Sequence, residues 1–245
     1  MRITAFNGSP RAEKGNTHVM VSEFLEGCKE AGAEAENIFL VRKEIKPCNG
    51  CYACWMETPG ECAHDDDMEE LLNEHYYASD IVVFATPVYV DNVTGIMKMF
   101  IDRLIATGDP HMEKDEHGEC RHIKKHENPS KIAVISNCGF PEQSHFQVLR
   151  LLFARMARNL QCELSAEIYR GGGGLLTAPI PELKPFVENY KTLLRQAGQE
   201  FVRRSRLSPQ TIASLEAPLL PMPDFVDQYI VRVNQRVDAI LARQD

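Results

Sequence analysis

The sequence predicts an α/β protein in which helices cover both faces of a doubly wound parallel sheet. Three apolar runs, 3–6, 81–85 and 132–135, are short and uninterrupted, as expected of strands that are buried on both faces. Segments with apolar residues at helical spacing follow each of these runs. Because strands and helices alternate, right-handed crossovers and a parallel sheet are favoured.

The remaining elements follow from the same two patterns. A helix begins near Thr17 and ends at Gly32, since glycine is typical of the position just after a helix. Asp65, Asp66 and Asp67 suit the start of another helix, where carboxylates are favoured. The other predicted elements are strands at 34–41 and 162–169 and helices from about Met68, at 96–104 and at 146–156.

The chain is expected to divide into two parts. Residues 1–175 form the sheet domain, with a cysteine-rich loop at 47–66 and a polar, loop-like insertion at 107–129. Beyond the glycine run 171–174 the pattern is helical, and a proline-rich stretch separates two apolar stripes. The first stripe consists of Phe186, Tyr190, Leu193, Ala197 and Phe201. We expect this extension, 176–245, to pack on the sheet or on a partner subunit.

Charge and hydropathy exclude several classes of protein. The net charge of −8 over 245 residues disfavours nucleic acid as a partner, because backbone phosphates require a basic surface. No apolar run is long enough to cross a bilayer, and the first residues lack the apolar stretch of a secretory signal. We therefore expect a cytoplasmic protein without a membrane partner.

The segment between the first strand and its helix has the composition of a phosphate site. Its predicted contacts are the hydroxyls of Ser9 and Thr17, the Arg11 guanidinium and backbone N–H groups near Asn16. The segment lacks the P-loop and the dinucleotide-binding glycine pattern, which disfavours ATP and a Rossmann-bound NAD. The alternative is an ordinary turn capped by Asn16 or Thr17.

Two later segments also follow buried strands, where parallel sheets bind ligands. In the segment 86–92, Pro87 ends the strand and Tyr89 offers a flat face to a ring. In the segment 137–141, Gly139 permits close approach of the backbone, and Phe140 can line a pocket. Each segment taken alone is equally compatible with a plain turn.

Taken together, these segments resemble a known family. The motifs at 7–11, 15–17, 86–89 and 98–103, in this order, are similar to those of the flavodoxin-like NAD(P)H-dependent FMN reductases. The resemblance covers roughly residues 1–170 and implies a five-stranded sheet of order 2-1-3-4-5. It assigns the FMN phosphate to Ser9, Arg11, Asn16 and Thr17. Contacts with the flavin ring are assigned to Pro87, Val88, Tyr89, Val90, Asn92, Cys138, Gly139 and Phe140.

Four of the eight cysteines are clustered. Cys48, Cys51, Cys54 and Cys62 are similar to the compact motif of the iron–sulfur flavoproteins, a branch of the same superfamily. This resemblance implies one [4Fe-4S] cluster on the flavin side of the sheet, and four thiolates are what such a cluster requires. Tetrahedral zinc also takes four cysteines, and thiols without a metal, or a disulfide, are a third possibility.

Two further sets of polar residues favour structural interpretations. His111, Cys120, His122 and His126 have no regular ligand spacing, which indicates a solvated segment that lies over the flavin or a partner subunit. The three aspartates at 65–67 are explained by a helix start without any bound cation.

The resemblance implies a redox enzyme in which the flavin carries the chemistry and no side chain is catalytic. NAD(P)H or a reduced carrier is the expected donor, and a quinone, a free flavin or a protein is the expected acceptor. A homodimer or homotetramer is expected, so that a neighbouring subunit covers the flavin. The alternatives are a non-catalytic FMN-binding electron carrier or redox-sensing module, and a nucleotide-binding regulator without flavin.

Overall fold

The computed structural model describes residues 1–127, 129–220 and 222–242. Asn128 of the predicted insertion, Pro221 of the proline-rich stretch and residues 243–245 lie outside this description. The strands are β1 (Arg2–Asn7), β2 (Glu34–Phe39), β3 (Ile81–Pro87), β4 (Gly108–Lys114), β5 (Cys120–Lys124), β6 (Lys131–Asn137) and β7 (Glu163–Arg170). The helices are α1 (Asn16–Glu30), α2 (Ala53–Met56), α3 (Met68–Glu70, continued by a π-helical turn over Leu71–Tyr76), α4 (Gly95–Arg103), α5 (Gln147–Leu160), α6 (Lys184–Arg204), α7 (Pro209–Glu216) and α8 (Phe225–Leu241).

Five of the strands form one parallel sheet in the order β2-β1-β3-β6-β7. Counted within the sheet, this is the predicted order 2-1-3-4-5, and the predicted flavodoxin-like fold is confirmed. The order reverses between β1 and β3, so that chain segments leaving these two strands diverge and open a crevice at their carboxyl ends.

Each face of the sheet is covered by helices. Alternate residues of β1 and β3 point to opposite sides: Ala5 and Val83 join the core beneath α1 and α6, whereas Phe6 and Phe84 join the core beneath α4 and α5. Burial on both faces accounts for the uninterrupted apolar runs in the sequence.

The insertion at 107–129 is not the loop that the sequence predicts. Strands β4 and β5 pair as an antiparallel hairpin. The Arg121 guanidinium pairs with Glu113 across the hairpin at 2.8 Å, and Arg158 of α5 pairs with Asp115 at its turn at 2.6 Å. Polar composition concealed these strands, because they are stabilised by backbone pairing and cross-strand charges rather than by an apolar face.

Helix α6 buries three residues of its predicted stripe, Tyr190, Ala197 and Phe201, but not the other two. Its buried residues include Val187 and Leu194, whereas Phe186 is 38% exposed and Leu193 is only partly buried. The helix packs on α1, and a Cβ added to Gly198 would lie 2.0 Å from the Phe24 carbonyl oxygen. This backbone-to-backbone approach fixes how α6 is rotated, and periodicity alone does not reveal it.

The last helix, α8, buries none of its residues within the described part of the chain. Its exposed apolar residues include Val226, Ile230, Val233 and Val237. None of the helices in the described ranges combines the length and the hydropathy that a bilayer span requires.

Candidate functional site

A cavity of about 170 Å³ lies at the carboxyl ends of the central strands. It brings together three segments that are far apart in the sequence, those that follow β1, β3 and β6. Its lining residues are Ser9, Arg11, Gly15, Asn16, Thr17, Pro87, Val88, Tyr89, Asn137, Gly139 and Gly174. They include one cation and, among the residues described, no acid. We call this space the strand-end cavity.

One wall of the strand-end cavity is the N-terminus of α1. Gly15, in an extended conformation, precedes this helix and offers no side-chain cap. Within the described ranges, the backbone N–H groups of Asn16 and Thr17 have no acceptor. Since the helix dipole adds partial positive charge here, and the Ser9 hydroxyl and Arg11 also line the cavity, this wall can bind a phosphate.

Side-chain hydrogen bonds hold this wall to the sheet. The Asn137 side-chain amide, at the end of β6, donates to the Thr17 hydroxyl at 2.7 Å. The Asn137 carbonyl accepts from the Val88 N–H at 2.8 Å, so that one residue ties the other two segments together. The Thr177 hydroxyl donates to the Asn16 side chain at 2.6 Å. These hydrogen bonds hold the segments around the cavity in place relative to one another.

The segment after β3 presents a tight turn. Tyr89 and Asn92 exchange backbone hydrogen bonds of 2.9 and 3.1 Å, and both intervening residues, Val90 and Asp91, have positive φ. Tyr89 is 47% exposed and Val90 is 98% exposed. A flat ligand would find an apolar surface at this turn, outside the cavity proper.

Eight of the twelve residues expected to bind cofactor line the strand-end cavity, and four do not: Val90, Asn92, Cys138 and Phe140. Cys138 is buried in the core, which raises the pKa of its thiol. Phe140 is exposed and stacks on His145, with 4.4 Å between the ring centres. The roles of all twelve stay predictions, since geometry alone tests none of them.

The sequence analysis missed four residues of this region. Gly15, Asn137 and Gly174 line the cavity, and the Tyr229 hydroxyl of α8 donates to the Gly139 carbonyl at 2.6 Å. Asn137 is the last residue of β6, two positions after the apolar run 132–135, and a polar side chain at this position was a usable signal. The contact from α8 carries no local signal, because it joins residues 90 positions apart.

The four clustered cysteines line a second, smaller cavity of about 20 Å³. All four are free thiols: Cys48 and Cys51 are exposed, Cys62 is half-buried and Cys54 is buried. Burial raises the pKa of the Cys54 thiol, and the three neighbouring thiols raise it further. We call this space the cysteine cavity.

The cysteine cavity does not lie where the sequence analysis places it. It adjoins Arg103 and Ile105 at the C-terminal end of α4, whereas the N-cap residue Thr94 at the other end donates to the Gly8 carbonyl beside the strand-end cavity at 2.7 Å. The two cavities share no lining residue. A nine-residue helix, about 13 Å long, separates them.

Hydrogen bonds from backbone N–H groups to aspartate side chains explain why the cysteine cavity lies at the C-terminal end of α4. After β2, the chain runs back along α4, and the Asp67 and Asp66 carboxylates accept from the N–H groups of Glu44 and Lys46 at 2.7 and 2.9 Å. Asp66 also accepts from the Met68 N–H at 3.1 Å at the start of α3. The aspartates therefore begin a helix, as predicted, and also position the cysteine loop.

A buried ion pair supports the loop. Arg103 is almost fully buried, binds Asp66 at 2.6 Å and donates to the Lys46 carbonyl at 2.8 Å. Burial by itself raises the pKa of Asp66, but the guanidinium and the two backbone N–H groups outweigh it, and the pKa is lowered. The Nε atom of Arg103 has no partner among the described residues, in a side chain that lines the cysteine cavity.

The spacing of the thiols bears on which metal they suit. No three of the four sulfur atoms lie within 4.8 Å of one another in the described chain. Four sulfurs around one zinc ion stand about 3.8 Å apart, since each Zn–S bond is about 2.3 Å. A four-iron cluster, in which each thiolate binds a different iron, accepts wider spacing. The cysteine cavity fits the cluster better than it fits zinc.

Three histidines of the insertion, His111, His122 and His126, each contact a different residue. His111 bonds Asp109 at 2.5 Å, the His122 ring lies 4.6 Å from that of Trp55, and the His126 ring lies 4.0 Å from that of Tyr77. No residue of 107–127 or 129 lines the strand-end cavity. The described part of the insertion thus packs against α5 and the cysteine loop, and its expected position over the flavin or a partner subunit stays a prediction.

A family model described as NADPH-dependent FMN reductase matches residues 1–118. The matched residues are 118 of 245, and over them the chain is similar to the NADPH-dependent FMN reductases. The matched part contains β1, β3 and α4, hence two of the three segments around the strand-end cavity and the whole cysteine loop.

Two proteins that are similar to this chain carry the name iron-sulfur flavoprotein. One from Archaeoglobus fulgidus is 34% identical over 154 residues, which cover 63% of this chain and 63% of the relative. One from Methanocaldococcus jannaschii is 41% identical over 103 residues, 42% of this chain and 51% of the relative. The matches thus span between half and two thirds of the length of these relatives.

Solved structures share the fold of this chain. An FMN-dependent NADH-azoreductase from Bacillus anthracis, in complex with FMN, has a TM-score of 0.59 at 16% identity, covering 82% of this chain and 99% of that one. An NAD(P)H:quinone oxidoreductase from Methanothermobacter marburgensis has a TM-score of 0.55 at 16% identity, covering 82% and 96%. At this identity the likeness establishes the architecture alone.

Proposed function

We propose that the chain is an FMN-dependent NAD(P)H oxidoreductase whose strand-end cavity holds the phosphate end of FMN. One observation carries the proposal: free N–H groups, the Ser9 hydroxyl and Arg11 meet in a cavity that also exposes Tyr89 and Gly139. At about 170 Å³ the cavity is below the range of about 300–1,000 Å³ that encloses a small ligand. The flavin ring would therefore lie on the exposed turn near Val90, with one face open.

The roles of the protein's own residues follow from this arrangement. Asn16, Thr17, Ser9 and Arg11 bind the dianion, and the Tyr89 turn and Gly139 position the ring. Bound there, FMN would supply hydride acceptance from NAD(P)H and electron release to an acceptor. No acidic or basic side chain close to the ring surface is needed for proton transfer.

Arg11 offers the sharpest test. It is exposed, and its only side-chain hydrogen bond goes to the Lys14 carbonyl at 3.0 Å, so Arg11→Ala leaves the fold intact. We expect FMN affinity to fall about ten- to a hundredfold, the effect of one charge-assisted hydrogen bond. Affinity for riboflavin, which lacks the phosphate, should not change. Both are measured by titration of the flavin-free protein.

Arg42→Ala is the matched control. Arg42 is a nearby exposed arginine that pairs with Glu13 and does not line the cavity. If both variants weaken FMN equally, or if the native protein binds riboflavin as tightly as FMN, phosphate recognition by this segment is wrong.

We further propose that Cys48, Cys51, Cys54 and Cys62 bind one [4Fe-4S] cluster. The shared cavity, the spacing of the sulfurs and the names of the relatives support this proposal. Iron, zinc and sulfide analysis after anaerobic purification tests it. About four irons and four sulfides per chain are expected, and one zinc or no metal contradicts the proposal.

A non-catalytic electron carrier is the second candidate, because the cysteine cavity provides a second redox site one helix away from the first. Steady-state oxidation of NAD(P)H by a quinone or by free flavin distinguishes the two. Turnover supports the reductase, whereas bound FMN without turnover supports the carrier.

The exposed apolar side of α8 and its Tyr229–Gly139 contact support pairing of subunits near the flavin. We propose a homodimer or homotetramer in which α8 takes part. Sedimentation of the full chain and of a chain that ends at residue 217 tests this proposal. The full chain should sediment as a dimer or tetramer and the shortened chain as a smaller assembly. The same number of subunits in both would contradict the proposal.

A further inference from the structure

A further cavity lies outside both sites above. It has a volume of about 500 Å³ and lies between α4, α5 and the β4–β5 hairpin. It shares only Ile105 with the cysteine cavity and no residue with the strand-end cavity. Its size is within the range of small-molecule sites, about 300–1,000 Å³. We call it the hairpin cavity.

The lining of the hairpin cavity suits a flat ring. Its apolar side is formed by aliphatic side chains such as Leu152 and Met156 of α5. Two pairs of rings complete it: Trp55 against His122, and Tyr77 against His126. Aromatic faces and edges favour an aromatic ligand over an aliphatic chain of the same volume.

Two polar atoms in this lining are buried without partners. The Tyr77 hydroxyl and the His122 Nδ1 atom find no hydrogen-bond partner in the described chain. Leaving such a group unsatisfied costs about 1–3 kcal/mol, so a ligand that carries a polar atom at its edge gains from meeting it. The cavity therefore prefers an aromatic molecule with a polar substituent.

The charges in the lining have one sign. Lys98, Lys124 and Arg155 line the cavity, and none of its described lining residues is acidic. Lys98 and Arg155 pair with Asp102 and Glu119, but these are exposed ion pairs of little strength. The three N–H groups of the Lys124 ammonium donate to the backbone carbonyls of Glu127, Pro129 and Gln161, and no carboxylate among the described residues pairs with its charge. In a protein with a net charge of −8, such a lining selects an anion.

We propose that the hairpin cavity binds a flat aromatic anion of about two fused rings, with its carboxylate or phenolate toward Lys124 and its polar edge against Tyr77. This site is independent of the FMN and cluster proposals. Trp55 directly follows Cys54, so occupation of the cavity also restrains the cysteine loop.

Naphthalene-2-carboxylate is a suitable probe, with uncharged naphthalene-2-carboxamide as the comparison. Binding to the purified protein is measured by calorimetry. Since Trp55 is the only tryptophan, a change in its emission locates the binding event. We expect the carboxylate to bind more tightly than the amide and to perturb Trp55.

Leu152→Trp fills the cavity and should abolish binding, whereas Leu151→Trp, on the exposed side of the same helix, should have no effect.

Tyr77→Phe removes one hydroxyl and should weaken binding about tenfold, the effect of one hydrogen bond. Tyr52→Phe, at an exposed tyrosine outside the cavity, should not. The tyrosine pair keeps the test decisive if Leu152→Trp does not fold.

Several results would overturn the proposal. They are absence of binding at millimolar probe, equal affinity for acid and amide, or binding that survives both Leu152→Trp and Tyr77→Phe. If the native protein does not bind the probe and Leu152→Trp lowers the oligomeric mass, the cavity is an interface between subunits instead.

Discussion

The strand-end cavity and the cysteine cavity lie at opposite ends of α4 and are held in place in different ways. The first is anchored by backbone and side-chain bonds to three buried strands, through residues such as Asn137 and Gly8. The second lies in a long loop that returns to the core through the Arg103–Asp66 pair. The strand-end cavity is therefore anchored to the sheet itself, whereas the cysteine loop is held by side-chain contacts of Asp66, Asp67 and Arg103.

This difference predicts that the two sites can be lost separately. Cys51→Ser should abolish bound iron, because a serine hydroxyl is a poor substitute for a thiolate, and should leave FMN affinity unchanged. Iron analysis and FMN titration of the same preparation check both statements. Cys120→Ser, at an exposed cysteine outside the cavity, should retain the iron. Loss of FMN along with iron would show that the sites are not separate.

The second prediction concerns the ion pair. Arg103→Met leaves the Asp66 carboxylate buried without its cation and should lower the free energy of unfolding by about 3–5 kcal/mol. Lys98→Met breaks an exposed pair on the same helix and should cost no more than about 1 kcal/mol. Urea unfolding measures both.

Adding Asp66→Asn to Arg103→Met removes the uncompensated charge and should restore part of the lost stability. If Arg103→Met and Lys98→Met cost the same, the buried pair does not support the loop.

Part of this contrast was predictable from the sequence. The strands and the three segments around the strand-end cavity follow from apolar runs and turn residues, because a parallel sheet buries its strands and gathers their ends at one edge. The order of the strands followed from the resemblance to the flavodoxin-like reductases. The position of the cysteine loop was not predictable, because it depends on Asp66 and Arg103, 37 residues apart. The hairpin was also missed, as was the burial of Val187 and Leu194 rather than Phe186 and Leu193 in α6, since cross-strand pairing and contact between helix backbones leave no periodic signal.

The third prediction concerns how the free energy of unfolding depends on pH through Asp66. The pKa of Asp66 is lowered from its ordinary value of 3.8, so its ion pair stabilises the protein at higher pH and is lost as pH falls through the lowered value. Native protein should therefore lose stability in acid faster than the Arg103→Met, Asp66→Asn double variant, by at most about 1.4 kcal/mol per pH unit. Unfolding measured from pH 6 downward checks this. Parallel curves for the two proteins would contradict it.

The smallest expected effect concerns the contact from α8. Tyr229→Phe removes the hydrogen bond to the Gly139 carbonyl and should weaken FMN binding by about 0.5–1.5 kcal/mol. Asp227→Ala, two residues earlier on an exposed part of the helix, is the control. A loss larger than that caused by Arg11→Ala would mean that α8, rather than the strand-end cavity, dominates FMN binding.

The central claim is that the N-terminus of α1 binds the phosphate of FMN. Hydrogen exchange of the Asn16 and Thr17 amides tests it directly, because these N–H groups have no acceptor within the described chain. FMN should slow the exchange of both amides, and riboflavin at equal saturation should not. Unchanged exchange with FMN, or equal protection by riboflavin, would contradict the claim.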